Sequence, residues 1–296
     1  MSISPFARLR IGHVPVDILT FQEALQHIAS LVEKGQGGFV VTPNVDHVVL
    51  TDSHLGLREA YAQASLSLVD GQPLVWVSPW IGKKLPEKIS GSDLVWPLLE
   101  MAGKNAWRVY FLGATPEVTA KAKQLVEERY ATQVVGCDSP FISVDSTLED
   151  NLETLQKIKE AKPNLILVAM GAPKQEVWMH RFRQHYAPAV ALGIGASLEF
   201  IAGTVRRAPP WASRCGLEWA YRLLKEPRRL WRRYLVNDPK FLGILLRTLR
   251  RPKNERVLLP SSPALLPLPS PSPSPSPSPS PNMEPSSSSS SENPPA

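Results

Sequence analysis

The chain has 296 residues, 43% of them hydrophobic, with a formal net charge of +6. That is enough apolar content for one large or two small cores. Only two cysteines, Cys137 and Cys215, are present, far apart and outside any C-x-x-C pattern, which excludes a cysteine zinc site and suits unpaired thiols in a reducing compartment. The longest clean apolar run, residues 165–172, is far short of the roughly 20 residues that span a bilayer, so a transmembrane helix is excluded too.

In chain order, the first twenty residues lack the continuous apolar stretch of a signal peptide, and residues 8–20 suit a β-hairpin. From there to residue 204, short apolar runs alternate with helical patterns. The runs fall at 38–42, 66–69, 108–112, 165–170 and 190–194, rich in Val, Ile and Leu without period-2 alternation, as in strands covered on both faces. The helical patterns fall at 21–34, 92–102, 116–130, 148–161 and 173–185. This order predicts a doubly wound, mostly parallel, Rossmann-like α/β domain over residues 1–204.

In such a sheet, ligands gather where strands end and helices begin. After the first run comes Thr42-Pro43-Asn44-Val45-Asp46-His47, where Thr and Asn side chains can reach a nucleotide or sugar, or Asn44 or Asp46 can simply cap the next helix. After the second comes Val69-Asp70-Gly71-Gln72-Pro73. Asp70 suits a general base acting on a hydroxyl, and equally well an ordinary Asp-Gly turn. Thr115 and Pro116 mark a helix start. More specific is Gly171-Ala172-Pro173-Lys174-Gln175-Glu176, a turn opening a helix whose free N–H groups favour a diphosphate, with Lys174 adding charge and Gln175 able to hydrogen-bond a base or sugar. Gly195-Ala196-Ser197 is a third small-residue opening. The third glycine of the dinucleotide fingerprint is missing there, and neither a Walker A sequence nor an Asp-x-Asp pair at a strand end occurs. No cofactor or metal is therefore expected, and phosphate charge falls to backbone N–H groups, Lys and Arg.

Residues 205–256 hold fifteen Lys or Arg against Glu218, Glu226, Asp238 and Glu255, interleaved with aromatic residues. Such a segment seeks a polyanion, either a nucleic acid or an anionic membrane surface. Leu217, Ala220, Tyr221 and Leu224 follow helical spacing, and Pro227 suits the first position of a second helix. That helix carries Leu230, Trp231, Tyr234 and Leu235 on one stripe, with Arg228, Arg229, Arg232 and Arg233 opposite. Like charges at this spacing cost a few tenths of a kcal/mol per pair, about what an anionic partner would reverse. A third apolar segment at 241–249, flanked by Arg247, Arg250 and Arg251, suits an interfacial anchor. This makes 205–256 a basic helical appendage. Residues 257–296 complete the chain; Pro and Ser supply 27 of the last 37 residues, so a disordered tail is expected.

Taken together, Thr42-Pro43-Asn44-Val45-Asp46, Asp70-Gly71-Gln72-Pro73-Leu74-Val75-Trp76, Gly91-Ser92-Asp93-Leu94, Phe111-Leu112-Gly113 and Gly171-Ala172-Pro173-Lys174-Gln175-Glu176 form an ordered set. It continues through Gly193-Ile194-Gly195-Ala196, Arg206-Arg207-Ala208-Pro209, Gly216-Leu217-Glu218-Trp219, Glu226-Pro227-Arg228-Arg229 and Arg232-Arg233-Tyr234. From about residue 10 to about residue 242 the chain resembles the WecG/TagA/CpsF glycosyltransferases. The resemblance implies an inverting, metal-independent transfer of an N-acetylmannosamine-type or related hexose. The donor would be a UDP-sugar and the acceptor a polyprenyl-diphosphate-linked sugar, in cell-envelope polysaccharide synthesis. It also implies a cytoplasmic protein held peripherally on an anionic surface, the inner face of the cytoplasmic membrane. By position, Asp70 matches the family's proposed catalytic base, and Thr42 and Asn44 match pocket residues. Gln175 matches a polar group of the Gly-Ala-Pro loop, and the C-terminal arginines match an appendage that closes over the site. Lys88 stands where the family usually has Arg, which keeps the charge and loses the planar fork.

The expected substrate-binding set is Thr42, Asn44, Lys88, Gly171, Pro173, Lys174, Gln175, Arg206, Arg207, Arg228 and Arg232. Asp70 and the loop carrying Gln175 should face one cavity. Oligomeric state stays open, and no nucleic-acid partner is expected. The alternative reading, a nucleic-acid-binding protein built on the basic segment, leaves Asp70 and the Gly-Ala-Pro loop without a role.

Overall fold

In the computed structural model, which describes residues 4–205, 207–209, 212 and 217–259, the five apolar runs form five strands of a six-stranded parallel sheet. Its strands are β3 (Gly38–Val41), β4 (Leu66–Ser67), β5 (Arg108–Gly113), β6 (Gln133–Asp138), β7 (Leu165–Ala169) and β8 (Val190–Gly193), in the order β4-β3-β8-β7-β5-β6. Every neighbouring pair is parallel. Alternation along each strand sends Phe39, Val41, Tyr110, Leu112, Ile166 and Val168 into one core, and Val40, Val109, Phe111, Leu165 and Leu167 into another. Both faces are apolar, so helices must cover both. The first core is closed by α3 (Leu55–Gln63), α7 (Leu152–Ala161) and α8 (Lys174–Tyr186), the second by α1 (Phe21–Glu33), α5 (Gly91–Lys104) and α6 (Pro116–Tyr130). The doubly wound α/β expectation holds.

Four elements of the core were not foreseen. Strand β6 lies at the sheet edge, half exposed, so its sequence is too polar to read as a covered strand. Its Gly136 lies against the Tyr110 ring, where an added Cβ would fall 2.4 Å from Cε2. The short helices α2 (Val45–Leu50) and α4 (Gln72–Ile81), with α3, bury Val48, Leu74, Ile81, Leu57 and Tyr61 in the first core.

The predicted hairpin is present as β1 (Arg8–Ile11) and β2 (Val14–Asp17). A buried ion pair anchors it to the sheet. Arg8 Nε donates to Asp17 Oδ1 at 2.8 Å and Arg8 Nη2 to Ala64 O at 2.7 Å, while Ser67 N donates to Asp17 Oδ2 at 2.7 Å. This fixes the approach to β4, whose exit carries Asp70.

One expectation about the C-terminal part needs correction, the tail boundary at residue 257. Helix α12 (Phe241–Arg250; α9 is Ser197–Ile201, α10 Glu218–Lys225 and α11 Pro227–Arg232) was expected as an interfacial anchor. It buries Ile244, Leu245 and Thr248 on one face, against the first core, and leaves Leu242 and Leu246 exposed on the other. Gly12 N donates to Thr248 Oγ1 at 2.9 Å and Arg251 Nη1 donates to Gly12 O at 3.0 Å, clamping this helix onto the hairpin turn. Residues 257 and 258, expected in the tail, are part of the fold. After α13 (Lys253–Arg256), Val257–Leu258 forms β9 and pairs antiparallel with β1, Leu9 opposite Val257. The Pro/Ser stretch from residue 260 lies outside the described residues.

Candidate active site

Three chain segments converge where β3 and β4 end. Asp70 N donates to Pro43 O at 2.8 Å, which sets the exit of β4 beside that of β3. Asn44 Oδ1 accepts from His47 N at 3.3 Å and caps α2, and it also accepts from Arg233 Nη2 at 3.4 Å. Capping and site-lining, read as alternatives in the sequence, are thus both served by one side chain. Asp46, in the first turn of α2, lies 3.2 Å from Arg233 Nε. The Gly71 carbonyl starts α4 by accepting from Leu74 N at 3.1 Å, leaving the Asp70 carboxylate at the wall of a cavity.

That cavity is about 280 Å3 and is lined by Asn44, Asp46, Asp70, Lys88, Glu218, Trp219, Arg222, Arg233, Tyr234 and Asp238 among others. Its chemistry is a carboxylate among alternating charges. Lys88 Nζ lies 3.5 Å from Glu218 Oε2 and 4.0 Å from Asp93 Oδ2. Arg222 Nη2 donates to Glu218 Oε1 at 2.5 Å, a pair four residues apart on α10. Arg207 pairs with Asp93, which Ser90 holds at the start of α5. Burial pushes the Asp70 carboxyl up to about 6; Lys88 and Arg222 oppose the rise, and Glu218 and Asp93 add to it. On the facing wall, burial and the neighbouring Asp46 push Asp238 up to about 6 against the pull of Arg233. Burial also disfavours charge on Glu218, yet Arg222 and Lys88 hold its carboxyl below the usual range. A group titrating near 6 is mostly ionised at neutral pH and basic enough to take a proton from a bound hydroxyl.

Two further cavities continue along the C-terminal edge of the sheet. One, about 440 Å3, shares Arg222, Arg233 and Tyr234 with the first and adds Ala196, Glu199 and Tyr221. The next, about 350 Å3, shares Ala196 and Glu199 and is lined by Gly113, Gly171, Lys174 and Gly195.

Of the residues expected from sequence, Asp70, Asn44 and Lys88 meet in the first cavity, and Gly171 and Lys174 meet in the third. The expectation that Asp70 and the Gln175 loop share one cavity is corrected: they lie at opposite ends of the row. Gln175 is buried, donating through Nε2 to Glu176 Oε1 at 2.7 Å and accepting through Oε1 from Gly195 N at 3.2 Å, so its amide is spent on protein. Pro173 caps α8 and lines none of the three cavities. Thr42 is buried, with Oγ1 donating to Gly193 O at 3.4 Å, and ties β3 to β8. Arg207 lines none of the three cavities; it pairs with Asp93, which lies 4.0 Å from Lys88 Nζ. Arg228 and Arg232 are exposed and line none of the three cavities, while Arg206 lies outside the described residues.

Among the described residues, the arginines that line the first cavity beside Lys88 are Arg222 and Arg233, which sequence reading missed as site residues. Helical spacing put Arg233 on one face with Arg228, Arg229 and Arg232. The chain instead passes from α11 into a π-helical turn, Arg233–Asn237, and a 3-10 turn, Asp238–Lys240. Arg233 is the C-cap of α11 and follows Arg232 by a step of about 100° around the axis, so the two side chains part: Arg232 is exposed and Arg233 lines the cavity. For Arg222 a signal was present: Glu218 and Arg222 are four apart on a helix, a spacing that pairs opposite charges.

Comparison with known proteins identifies the family. The family model for glycosyl transferases of the WecG/TagA/CpsF family matches residues 9–255. An N-acetylglucosaminyldiphosphoundecaprenol N-acetyl-beta-D-mannosaminyltransferase of Bacillus spizizenii is 32% identical over 242 residues, covering 80% of this chain and 89% of the relative. A protein of the same name from Staphylococcus aureus strain MW2 is 31% identical over 252 residues, covering 84% and 96%. The family match and these relatives place this chain in the WecG/TagA/CpsF family of glycosyltransferases.

Proposed function

We propose that the protein transfers an N-acetylmannosamine-type sugar from a UDP-sugar to a sugar carried on a polyprenyl diphosphate, with inversion and without a metal ion. The observation that carries this reading is the single cavity holding Asp70 beside Lys88, Arg222 and Arg233. Asp70 takes the proton of an acceptor hydroxyl. The freed oxygen forms a bond to the anomeric carbon, and the bond from that carbon to the phosphate oxygen breaks on the opposite side, its electron pair leaving with UDP. Lys88, Arg222 and Arg233 meet the diphosphate charge, in a site where fixed cations act more strongly than they would in water. The neighbouring cavities, leading to Gly171 and Lys174, give the nucleotide room. The names of the relatives supply the sugar and the lipid-linked acceptor in this reading.

The lipid-linked acceptor calls for a protein that works at a membrane surface. Among the described residues no helix is long and apolar enough to cross one. We therefore propose peripheral attachment to the inner face of the cytoplasmic membrane, helped by the basic residues of 205–256. The test is incubation with UDP-N-acetylmannosamine and a short-chain prenyl-diphosphate N-acetylglucosamine acceptor, with EDTA present. Transfer with the product anomer opposite to the donor's is expected; retention, or a need for added divalent cation, would overturn the mechanism.

A further inference from the structure

Helix α4 leaves the cavity mouth at Gln72 and Pro73 and carries two large aromatic side chains into solvent. Its inner face is Leu74, Val75, Ser78 and Ile81. Trp76 is 53% exposed and Trp80 is 68% exposed. Gln72, Trp76 and Trp80 follow one another at intervals of four, so they form one row along the helix. At 1.5 Å per residue, that row runs about 12 Å outward from the cavity mouth. Just past the helix come Lys83 and Lys84, both exposed. Helix α12 packs against α4, contributes Phe241 to the same cavity and exposes Leu242 and Leu246.

Tryptophan combines a broad apolar ring with one N–H donor, and it settles where acyl chains meet headgroups. Lysines next to it are drawn to anionic headgroups. A second copy of the chain would bring its own Lys83 and Lys84 to this patch, whereas an anionic bilayer supplies the opposite charge. We propose that α4 is a membrane-contact element, distinct from the basic C-terminal segment: Trp76 and Trp80 enter the headgroup layer of an anionic phospholipid bilayer, and Lys83 and Lys84 rest on its phosphates. The row then joins the bilayer to the cavity mouth, along the path a lipid-linked acceptor would take. The inference rests on the lipid-linked acceptor reading.

The test uses the full chain and co-sedimentation with phosphatidylcholine vesicles, with and without phosphatidylglycerol. Wild type is expected to partition onto the anionic vesicles. W76A/W80A should partition about tenfold less, having lost two interfacial rings, and K83A/K84A should lose part of the preference for phosphatidylglycerol. Turnover of a short-chain, water-soluble acceptor by W76A/W80A should match wild type, which also reports an intact fold. Turnover of a long-chain acceptor embedded in vesicles should fall with the partitioning. If the double variant folds poorly, W80A alone serves, since Trp80 is the more exposed. Unchanged partitioning of these variants overturns the proposal. So does sedimentation velocity showing a wild-type dimer that they dissociate. Failure of wild type to use any lipid-linked acceptor would instead defeat the functional reading, leaving the vesicle result to stand on its own.

Discussion

Arg233 Nε lies 3.2 Å from Asp46 Oδ2, joining the C-terminal helical segment to the first turn of the helix that leaves β3. The same guanidinium reaches Asn44 Oδ1 and opposes the upward shift of Asp238. It therefore closes the wall of the cavity and is its cation nearest the β3 exit. Arg233→Ala should lower kcat by roughly a hundredfold, the scale of losing one preorganised charge at a transition state. Arg232→Ala, one residue earlier but exposed, should stay within about threefold on a soluble acceptor, where an ordinary surface change has little effect. Steady-state kinetics of the two variants check this; equal losses would mean the two arginines act as one surface patch.

Asp70 supplies a pH signature. It acts as a base only when ionised, and its carboxyl lies at about 6. The acidic limb of kcat/KM should therefore rise about tenfold per pH unit below that value and level off above it. Lys88 pulls the carboxyl down, so Lys88→Met should move the limb to higher pH, while Lys88→Arg, which keeps the charge, should leave it in place. Asp70→Asn should abolish the limb and lower kcat by about 10²–10⁴-fold. A profile between pH 5 and 8 separates these outcomes.

The clamp between the hairpin turn and α12 can be tested with two glycines of opposite sign. Gly12 has φ +62, and an added Cβ would fall 2.7 Å from Ile244 Cγ2. Gly12→Ala should cost about 1–3 kcal/mol through left-handed strain and overpacking. Gly243 lies one residue before Ile244 within α12, with open space around the position of an added Cβ. Gly243→Ala should stabilise by about 0.5–1 kcal/mol, because helix-interior glycine carries an entropic penalty. Thermal unfolding of both should therefore shift in opposite directions.

The sheet was legible because Val, Ile and Leu fill β3, β5, β7 and β8 on both faces, a pattern without a rival in an exposed element. Asp70 was legible for the same reason, since a carboxylate directly after such a run stands at the sheet's C-terminal edge. Strand β6 was hidden because an edge strand has only part of its surface covered and need not be apolar. Arg233 was misassigned because Arg228, Arg229, Arg232 and Arg233, spread over about 140° of a short helix, were read as one solvent face, and Arg222 was passed over although Glu218 stands four residues before it. Gln175 was expected at the ligand because its motif precedes a free helix start. Only the fold reveals that Gly195 N and Glu176 use both ends of its amide.

Glu176 gives the remaining prediction. It is fully buried, with Oε1 accepting from Gln175 Nε2 and Oε2 lacking a hydrogen-bond partner among the described residues. Burial pushes its carboxyl up to about 7, against the Gln175 hydrogen bond that favours the charge. The folded value lies above the ordinary 4.5 of an unfolded chain, so the protonated form is the one the fold favours. Its contribution to stability is complete below about 4.5 and is lost as pH rises through about 7. Wild type should therefore lose stability over this range relative to Glu176→Gln, which keeps an acceptor for Gln175 and cannot ionise. At about 1.4 kcal/mol per unit of pKa difference, the gap should reach on the order of 3–4 kcal/mol by pH 8 and vanish near pH 4. Urea unfolding of both proteins at several pH values reads it directly, and parallel curves would mean that Glu176 stays ionised in the fold.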